Sequence, residues 1–303
     1  MRPTVMLRRG SIVAVLAGFA LAPGAPQAQN RRAMTIEDLL VAPRIADPQM
    51  SPDGRTVLFS QTTTDGKTGR RNSDIYSVAA DGSSDPKSLI DGDKSESTPR
   101  WSPDGKRIAF LANRDGATQI YIADADGGDV KKVTSLHAGA QPPFVWSPDG
   151  SRIAFVSDVY PDCADEACNK KKAEDAAANP VKVRRLTRLL YRHWDEWRES
   201  IRHHVFVTTI ADGKTRDLTP GDFDSPPTQQ EDGALAFSPD SKTIAFVSNR
   251  EGNDKEAWTT NNDVFLVPVD GGEPRLLTKN PAVMSREPAS GGTGSPAPKG
   301  TKP

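Results

Sequence analysis

The sequence predicts an all-β fold, a β-propeller built from four-stranded antiparallel blades. Three observations lead to this prediction. The 303 residues include 24 glycines and 25 prolines, which is too many turn formers for a helical bundle. A Ser-Pro-Asp turn motif occurs four times, and a short apolar run typical of a buried strand follows each copy. About four blades are recognisable, and we expect an incomplete propeller with a partly helical insertion.

The first 28 residues have the order of a secretory signal peptide. Arg2, Arg8 and Arg9 precede an apolar run over 11–22, and small residues follow through Ala28. The alternative is an anchor that is not cleaved. Because the apolar run is too short to span a membrane comfortably, we expect no stable membrane insertion. The sequence therefore predicts an exported protein that is periplasmic or secreted.

The turn motifs set the period of the repeats, which we assign to residues 35–285. Their serines are Ser51, Ser102, Ser147 and Ser238, at intervals of 51, 45 and 91 residues. A period in the forties indicates propeller blades, and the order Ser, Pro, Asp, Gly suits a type I turn. A later Asp-Gly pair in each repeat predicts a second hairpin. These pairs lie at 81–82, 126–127, 212–213 and 270–271.

Aromatic residues recur at equivalent positions of the repeats, which predicts a packing role rather than a chemical one. They are Phe59, Phe110, Phe155, Phe246, Tyr76 and Tyr121 in the strands, and Trp101, Trp146 and Phe237 just before the turns.

The long third interval predicts an insertion over 158–204 rather than a further blade. The distance from the first Asp to the Asp-Gly pair is 63 residues in this repeat and between 22 and 30 in the others. Within the insertion, 165–178 is charged and Ala-rich and predicts a helix that stops at Asn179-Pro180. Residues 181–199 have helix-compatible apolar spacing, although their β-branched start leaves a strand open.

The only two cysteines, Cys163 and Cys168, lie at the start of this insertion. In an exported chain we expect a disulfide between them, and two free thiols are the alternative. A zinc site would need two further ligands, and the nearest histidines lack finger-like spacing. We therefore expect no metal and no cofactor. The net charge of −1 likewise gives no general electrostatic reason to bind nucleic acid.

The insertion also carries a family resemblance. Its marks are Tyr160-Pro-Asp-Cys163, Cys168, Val183-Arg-Arg185, Leu190-Tyr-Arg-His-Trp-Asp-Glu-Trp197 and His204-Val-Phe-Val207. Together with TolB-like propeller repeats, this pattern resembles the third-blade insertion of secreted bacterial peptidases. These form the dipeptidyl-peptidase 5 and acylaminoacyl-peptidase branch of the prolyl oligopeptidase family. The resemblance covers about residues 35–285.

In that family a propeller precedes an α/β-hydrolase domain with a Ser-Asp-His triad, whose serine lies in a Gly-x-Ser-x-Gly elbow. This sequence has no such elbow, and its last residues, 286–303, have the composition of a disordered tail. The resemblance therefore implies the non-catalytic, substrate-gating propeller of an exported serine peptidase, truncated before its hydrolase and inactive alone. A stand-alone TolB-like propeller that binds a protein in the periplasm is the alternative.

The resemblance also suggests a substrate site in the insertion. Related dipeptidyl peptidases fix the α-ammonium of the substrate with propeller carboxylates, a role that Asp195 and Glu196 would have between Trp194 and Trp197. The alternative is that the two tryptophans form the apolar face of a helix packed on the propeller. A peptide would be the partner of a chain joined to its hydrolase. Open blade edges predict self-association.

Two further groups in the insertion have expected structural roles. We expect Arg192 and His193 to brace the insertion, and Arg184, Arg185 and Arg188 to form a solvated basic face.

Overall fold

A computed structural model describes residues 32–184, 186, 189, 192, 193, 196, 197, 200–227, 234–252, 255, 258, 259 and 261–278. The chain divides into two compact units, Met1–Leu40 and Val41–Pro303. The predicted signal peptide and C-terminal tail lie outside the described residues. In the part of the chain that the structure describes, no helix is long and apolar enough to cross a membrane.

The first two sheets follow a short helix and use strands in sequence order. Helix α1 is Ile36–Val41. Sheet 1 consists of β1 (Arg44–Met50), β2 (Thr56–Thr64), β3 (Arg71–Ala79) and β4 (Lys87–Ile90). Sheet 2 consists of β5 (Glu96–Trp101), β6 (Arg107–Ala112), β7 (Gln119–Asp124) and β8 (Lys131–Lys132).

The third sheet contains the insertion between its second and third strands. Sheet 3 pairs β9 (Gln141–Trp146), β10 (Arg152–Val159), β13 (Arg202–Thr209) and β14 (Thr215–Asp217). The insertion holds α2 (Glu166–Ala178), β11 (Arg192–His193) and β12 (Glu196–Trp197). Sheet 4 is β15 (Leu235–Phe237), β16 (Thr243–Ser248), β17 (Asp263–Pro268) and β18 (Arg275–Leu276). All strand pairs are antiparallel, so the predicted fold class is confirmed.

The Ser-Pro-Asp turns join the first and second strands of each sheet and share one geometry. In the first turn, the Gly54 backbone N–H donates to the Ser51 carbonyl over 2.9 Å, and the Ser51 hydroxyl donates to Asp53 Oδ1 over 2.6 Å. The other three turns repeat this 2.6 Å bond between Ser and Asp. The fourth position is left-handed, with φ of 73° at Gly54 and 61° at Ser241, which replaces glycine in the last repeat.

Three clusters of buried side chains join the sheets in order. The first packs Leu58 and Ile75 of sheet 1 on Ile108 and Phe110 of sheet 2. Equivalent clusters join sheet 2 to sheet 3 and sheet 3 to sheet 4. Each sheet also stacks an aromatic pair across its second and third strands, with ring centroids 5.7–5.9 Å apart. The predicted packing role of the repeated aromatics is confirmed.

The four sheets do not close into a ring. Among the described residues, no buried cluster joins sheet 4 to sheet 1. As a result, strands β6 and β7 of sheet 2 are buried along both faces, whereas burial alternates residue by residue in β16 of sheet 4. The face of sheet 4 that points away from sheet 3 is therefore only partly buried.

The insertion confirms one predicted element and decides between two alternatives for another. Helix α2 begins after its N-cap Asp165, whose side chain accepts from the Cys168 backbone N–H, and ends at Asn179, before the proline. Beyond it, the sequence left helix and strand open over 181–199, and the structure shows strands where it describes this segment. Arg192 pairs with Trp197 and His193 with Glu196, which makes β11 and β12 a hairpin.

Candidate functional site

The insertion leaves sheet 3 at the end of β10, and its first turn is held by several local bonds. Cys163 and Cys168 form a disulfide with a Cα–Cα distance of 5.4 Å. The Asn169 side chain accepts from the Tyr160 backbone N–H over 2.7 Å, and the Lys172 ammonium lies 5.5 Å from the Tyr160 ring centroid. The start of α2 is therefore fixed to the root of the insertion, and its Glu166 also accepts from the backbone N–H of His137, between β8 and β9, although α2 buries none of its residues.

A polar cluster, the root cluster, lies where β10 enters and β13 leaves the insertion. It consists of Gln141, Asp158, Arg202, His203, Asp222 and Asp224. Asp158 accepts from the Gln141 amide over 2.8 Å and lies 3.3 Å from His203 Nε2. Asp222 lies 2.9 Å from Arg202 Nε, and Asp224 accepts from the His203 backbone N–H over 2.9 Å. These contacts join both roots of the insertion to the segment after β14.

His204, the next residue of β13, has both ring nitrogens occupied. Nδ1 lies 2.6 Å from Asp217 Oδ2 and Nε2 lies 2.8 Å from the Gly221 carbonyl oxygen. Its side chain is 2% exposed. His204 therefore bridges β13 to β14 and to the segment that follows β14.

The hairpin β11–β12 carries a cation–π stack. The Arg184 guanidinium lies 4.5 Å and that of Arg192 5.5 Å from the Trp197 ring centroid. Trp197 is 38% exposed. The predicted solvated basic face therefore has one member, Arg184, engaged with an aromatic ring. Arg185 and Arg188 lie outside the described residues.

The structure describes only some of the predicted substrate residues. Trp194 and Asp195 lie outside the described residues, between the paired strands. Glu196 and His193 have described backbones that pair with each other, but their side chains are not among the described ones. Trp197 is at the end of the same hairpin. The proposed contact with a substrate ammonium stays a prediction.

Sequence reasoning missed a second buried charge pair, in sheet 2. Glu96 is 1% exposed and lies 2.9 Å from Arg114, whose guanidinium also lies over the rings of Phe110 and Tyr121. Burial raises the pKa of Glu96, and Arg114 opposes that effect.

The equivalent position in sheet 4 is Arg250, and burial lowers its pKa. Its guanidinium lies 5.0–5.3 Å from the rings of Phe223, Phe246 and Phe265. The repeated Asn-Arg-Asp-Gly at 113–116 and Asn-Arg-Glu-Gly at 249–252 was the available signal for both arginines.

The root cluster and the disulfide can hold and orient the insertion. Charged groups lie at its root, and aromatic and cationic groups lie on the hairpin β11–β12. Within the described ranges, no group of three or more His, Cys, Asp or Glu side chains could hold a metal ion.

Comparisons with known proteins agree with the fold. Residues 39–173 match the family model described as the TolB beta propeller domain. An acylaminoacyl peptidase of Pyrococcus horikoshii superposes with a TM-score of 0.56 at 18% identity, over 80% of this chain and 33% of that one. That likeness shows the propeller fold.

Two curated relatives extend the match over most of the sequence. The chain is 29% identical over 268 residues to dipeptidyl-peptidase 5 of Porphyromonas endodontalis, which covers 87% of this chain and 38% of that protein. It is 28% identical over 259 residues to dipeptidyl-peptidase 5 of Porphyromonas gingivalis, covering 81% and 35%. The chain spans little more than a third of the length of these relatives.

Proposed function

We propose that this chain is the non-catalytic, substrate-gating propeller of an exported serine peptidase that acts on dipeptidyl or acylaminoacyl substrates. One observation carries the proposal: the sequence match to dipeptidyl-peptidase 5 covers 87% of this chain but 38% of the relative. A hydrolase domain would supply the triad, and the propeller would restrict which peptides reach it.

In this proposal the insertion is the part that selects the substrate. It replaces a short loop between the second and third strands of sheet 3, and the root cluster anchors both of its ends. Asp195 and Glu196 would then bind the α-ammonium of a peptide through charge-assisted hydrogen bonds. Such a contact would distinguish a free from an acetylated N-terminus.

The test is peptide binding to the purified chain, measured by fluorescence anisotropy. A labelled peptide with a free N-terminus is compared with its N-acetylated form, on the native chain and on Asp195→Asn and Glu196→Gln. Loss of one charge-assisted hydrogen bond should weaken binding of the free form about ten- to a hundredfold, since such bonds contribute about 1.5–3 kcal/mol. Lys182→Gln, an exposed change elsewhere in the insertion, is the control. Equal affinity for the two peptides on the native chain would overturn this role.

A stand-alone TolB-like propeller that binds a protein in the periplasm is the second candidate, favoured by the family match over 39–173. It predicts no preference for a free peptide N-terminus. The same anisotropy experiment therefore separates the two candidates.

A further inference from the structure

Arg114 of sheet 2 and Arg250 of sheet 4 hold the same position of the repeat, but their guanidinium groups have different partners. Arg114 donates from Nε over 3.3 Å and from Nη2 over 2.9 Å to Glu96 Oε1. In Arg250 the same two nitrogens, Nε and Nη2, are buried and have no hydrogen-bond partner among the described residues. Nearly all buried donors in folded proteins have a partner, so this pair points to a bound acceptor.

Three aromatic rings hold the guanidinium of Arg250 in place. Its central carbon lies 5.0 Å from the ring centroid of Phe265 and 5.3 Å from those of Phe246 and Phe223. The rings stabilise the positive charge, but their side chains contain no oxygen or nitrogen that could accept a hydrogen bond. The N–H groups of Arg250 therefore still need an acceptor.

The carboxylate nearest to Arg250 in the chain has other partners. Glu251 accepts from the Thr259 hydroxyl over 2.5 Å and from the Asn261 amide over 3.1 Å, two contacts that fix the loop between β16 and β17. Burial lowers the pKa of Arg250, an effect that the charge of Glu273 opposes. Within the described ranges, no carboxylate forms an ion pair with Arg250.

Arg250 lies next to the root of the insertion. Phe223, one of its three rings, stands between Asp222 and Asp224 in the chain, and both of these belong to the root cluster. The loop that carries Arg250 joins the second and third strands of sheet 4, which is the connection that the insertion replaces in sheet 3. Arg250 is itself partly exposed, so a ligand can approach its guanidinium from the solvent.

We propose that Arg250 binds a carboxylate of a peptide ligand through its Nε and Nη2. A carboxylate is the expected group because the same two nitrogens of Arg114 bind the carboxylate of Glu96. The planar fork of a guanidinium also fits a carboxylate well. The choice of a peptide rests on the proposed function, since the site adjoins the insertion. A peptide can supply this group from an acidic side chain or from its C-terminus.

Urea unfolding of the chain without ligand is the first test. Arg250→Met keeps an unbranched side chain over the rings and removes a buried charge without a carboxylate, so the unfolding midpoint should stay the same or rise. The matched variant Arg114→Met leaves the buried Glu96 carboxylate without its guanidinium, so its midpoint should fall. An equal fall in both variants would overturn the proposal, because it would show that another group of this chain already pairs with Arg250.

Peptide binding, measured by fluorescence anisotropy, is the second test. Three N-acetylated peptides carry the label on a central lysine. The first has a glutamate and an amidated C-terminus, the second has glutamine and a free C-terminal carboxylate, and the third has glutamine and an amidated C-terminus. We expect the native chain to bind one of the first two about tenfold more tightly than the third, and the tighter peptide identifies the source of the carboxylate.

Variants of the native chain assign this preference to one side chain. Arg250→Met should abolish the preference, and Arg250→Lys should keep only part of it, because an ammonium lacks the planar fork. The control Lys255→Gln removes an exposed cation from the same loop and should leave the preference unchanged.

Equal affinity for the three peptides on the native chain would overturn the proposal, as would no binding up to about 1 mM. A preference that Arg250→Met retains would also overturn it. Because all three peptides have blocked N-termini, the α-ammonium contact of the proposed function does not enter this result. A chain that prefers free N-termini but ignores carboxylates would therefore contradict the role of Arg250 alone.

Discussion

At the scale of single residues, the buried pair of Glu96 and Arg114 offers the sharpest stability test. Arg114→Ala would leave a carboxylate that is 1% exposed without its guanidinium. Because Arg114 is itself 30% exposed, we expect the loss of its contact with the buried carboxylate to cost about 2 kcal/mol, which urea unfolding would measure. The matched control is Lys132→Ala, because Lys132 pairs with the exposed Asp115 and should cost less than about 1 kcal/mol.

Glu96→Gln in the Arg114→Ala background provides the second half of this test. This second substitution removes the unpaired carboxylate charge of Glu96, so part of the lost free energy of unfolding should return. A double variant no more stable than Arg114→Ala would show that the ring contacts of Arg114, and not the charge pair, account for its effect.

The turn aspartates predict a loss of stability in acid. In each Ser-Pro-Asp turn, the hydrogen bond from the Ser hydroxyl holds the pKa of the Asp below its ordinary value. The ionised form therefore stabilises the folded state. That contribution is complete above the unfolded pKa of about 4 and is lost as the pH falls through the lower folded pKa.

The measurement is the thermal midpoint as a function of pH. We expect a fall below about pH 4, and a shallower fall in Asp104→Asn, which removes one of the titrating groups. A midpoint that stays constant down to about pH 2.5 would contradict this account of the turns.

The sequence predicts the contacts of single residues where a motif repeats. It does not predict contacts between segments that are far apart in the chain. The turn geometry followed from Ser, Pro, Asp and Gly at fixed positions. The contact between Asp158 and His203 depends on the register of β10 and β13, which lie on either side of the insertion, and no local pattern encodes that register.

At the scale of elements, the disulfide of the insertion has a testable consequence. Because α2 buries no residues, replacing Cys163 and Cys168 by Ser should leave the thermal midpoint of the propeller nearly unchanged. Tryptic cleavage near Lys170–Lys172 should become faster, since the helix loses a covalent link to its root. Limited proteolysis followed by mass spectrometry measures both effects.

The control for this prediction is the oxidation state of the native chain. Intact mass after alkylation should show no adduct before reduction and two adducts after it. Alkylation of both cysteines without reductant would show that the disulfide does not form in the purified protein.

The helix and the hairpin of the insertion differ in how well the sequence predicts them. Helix α2 was predictable from Asp165 at its N-cap and the Asn179-Pro180 stop. The hairpin β11–β12 was not, because Trp194 and Trp197 have a spacing that also fits a helix. A strand of two residues is too short for its sequence pattern to distinguish a strand from a helix. The pairing of Arg192 with Trp197 in the structure identifies the hairpin.

At the scale of the whole molecule, the sequence repeats predicted the fold but not the function. The period of the turns predicted four antiparallel sheets, which the structure has, and the chain matches little more than a third of the length of the relatives named dipeptidyl-peptidase 5. The sequence contains no Gly-x-Ser-x-Gly elbow of the kind that holds the nucleophile of an α/β-hydrolase. A non-catalytic propeller is the central claim.

Activity of the purified chain tests that claim most directly. Dipeptidyl and acylaminoacyl chromogenic substrates are incubated with the chain, with and without a serine-directed fluorophosphonate. We predict no product above the buffer rate and no covalent label on the polypeptide, because catalysis of this kind requires a positioned serine, histidine and carboxylate. Turnover that the fluorophosphonate abolishes while labelling this polypeptide would contradict the claim and place a nucleophile within the chain.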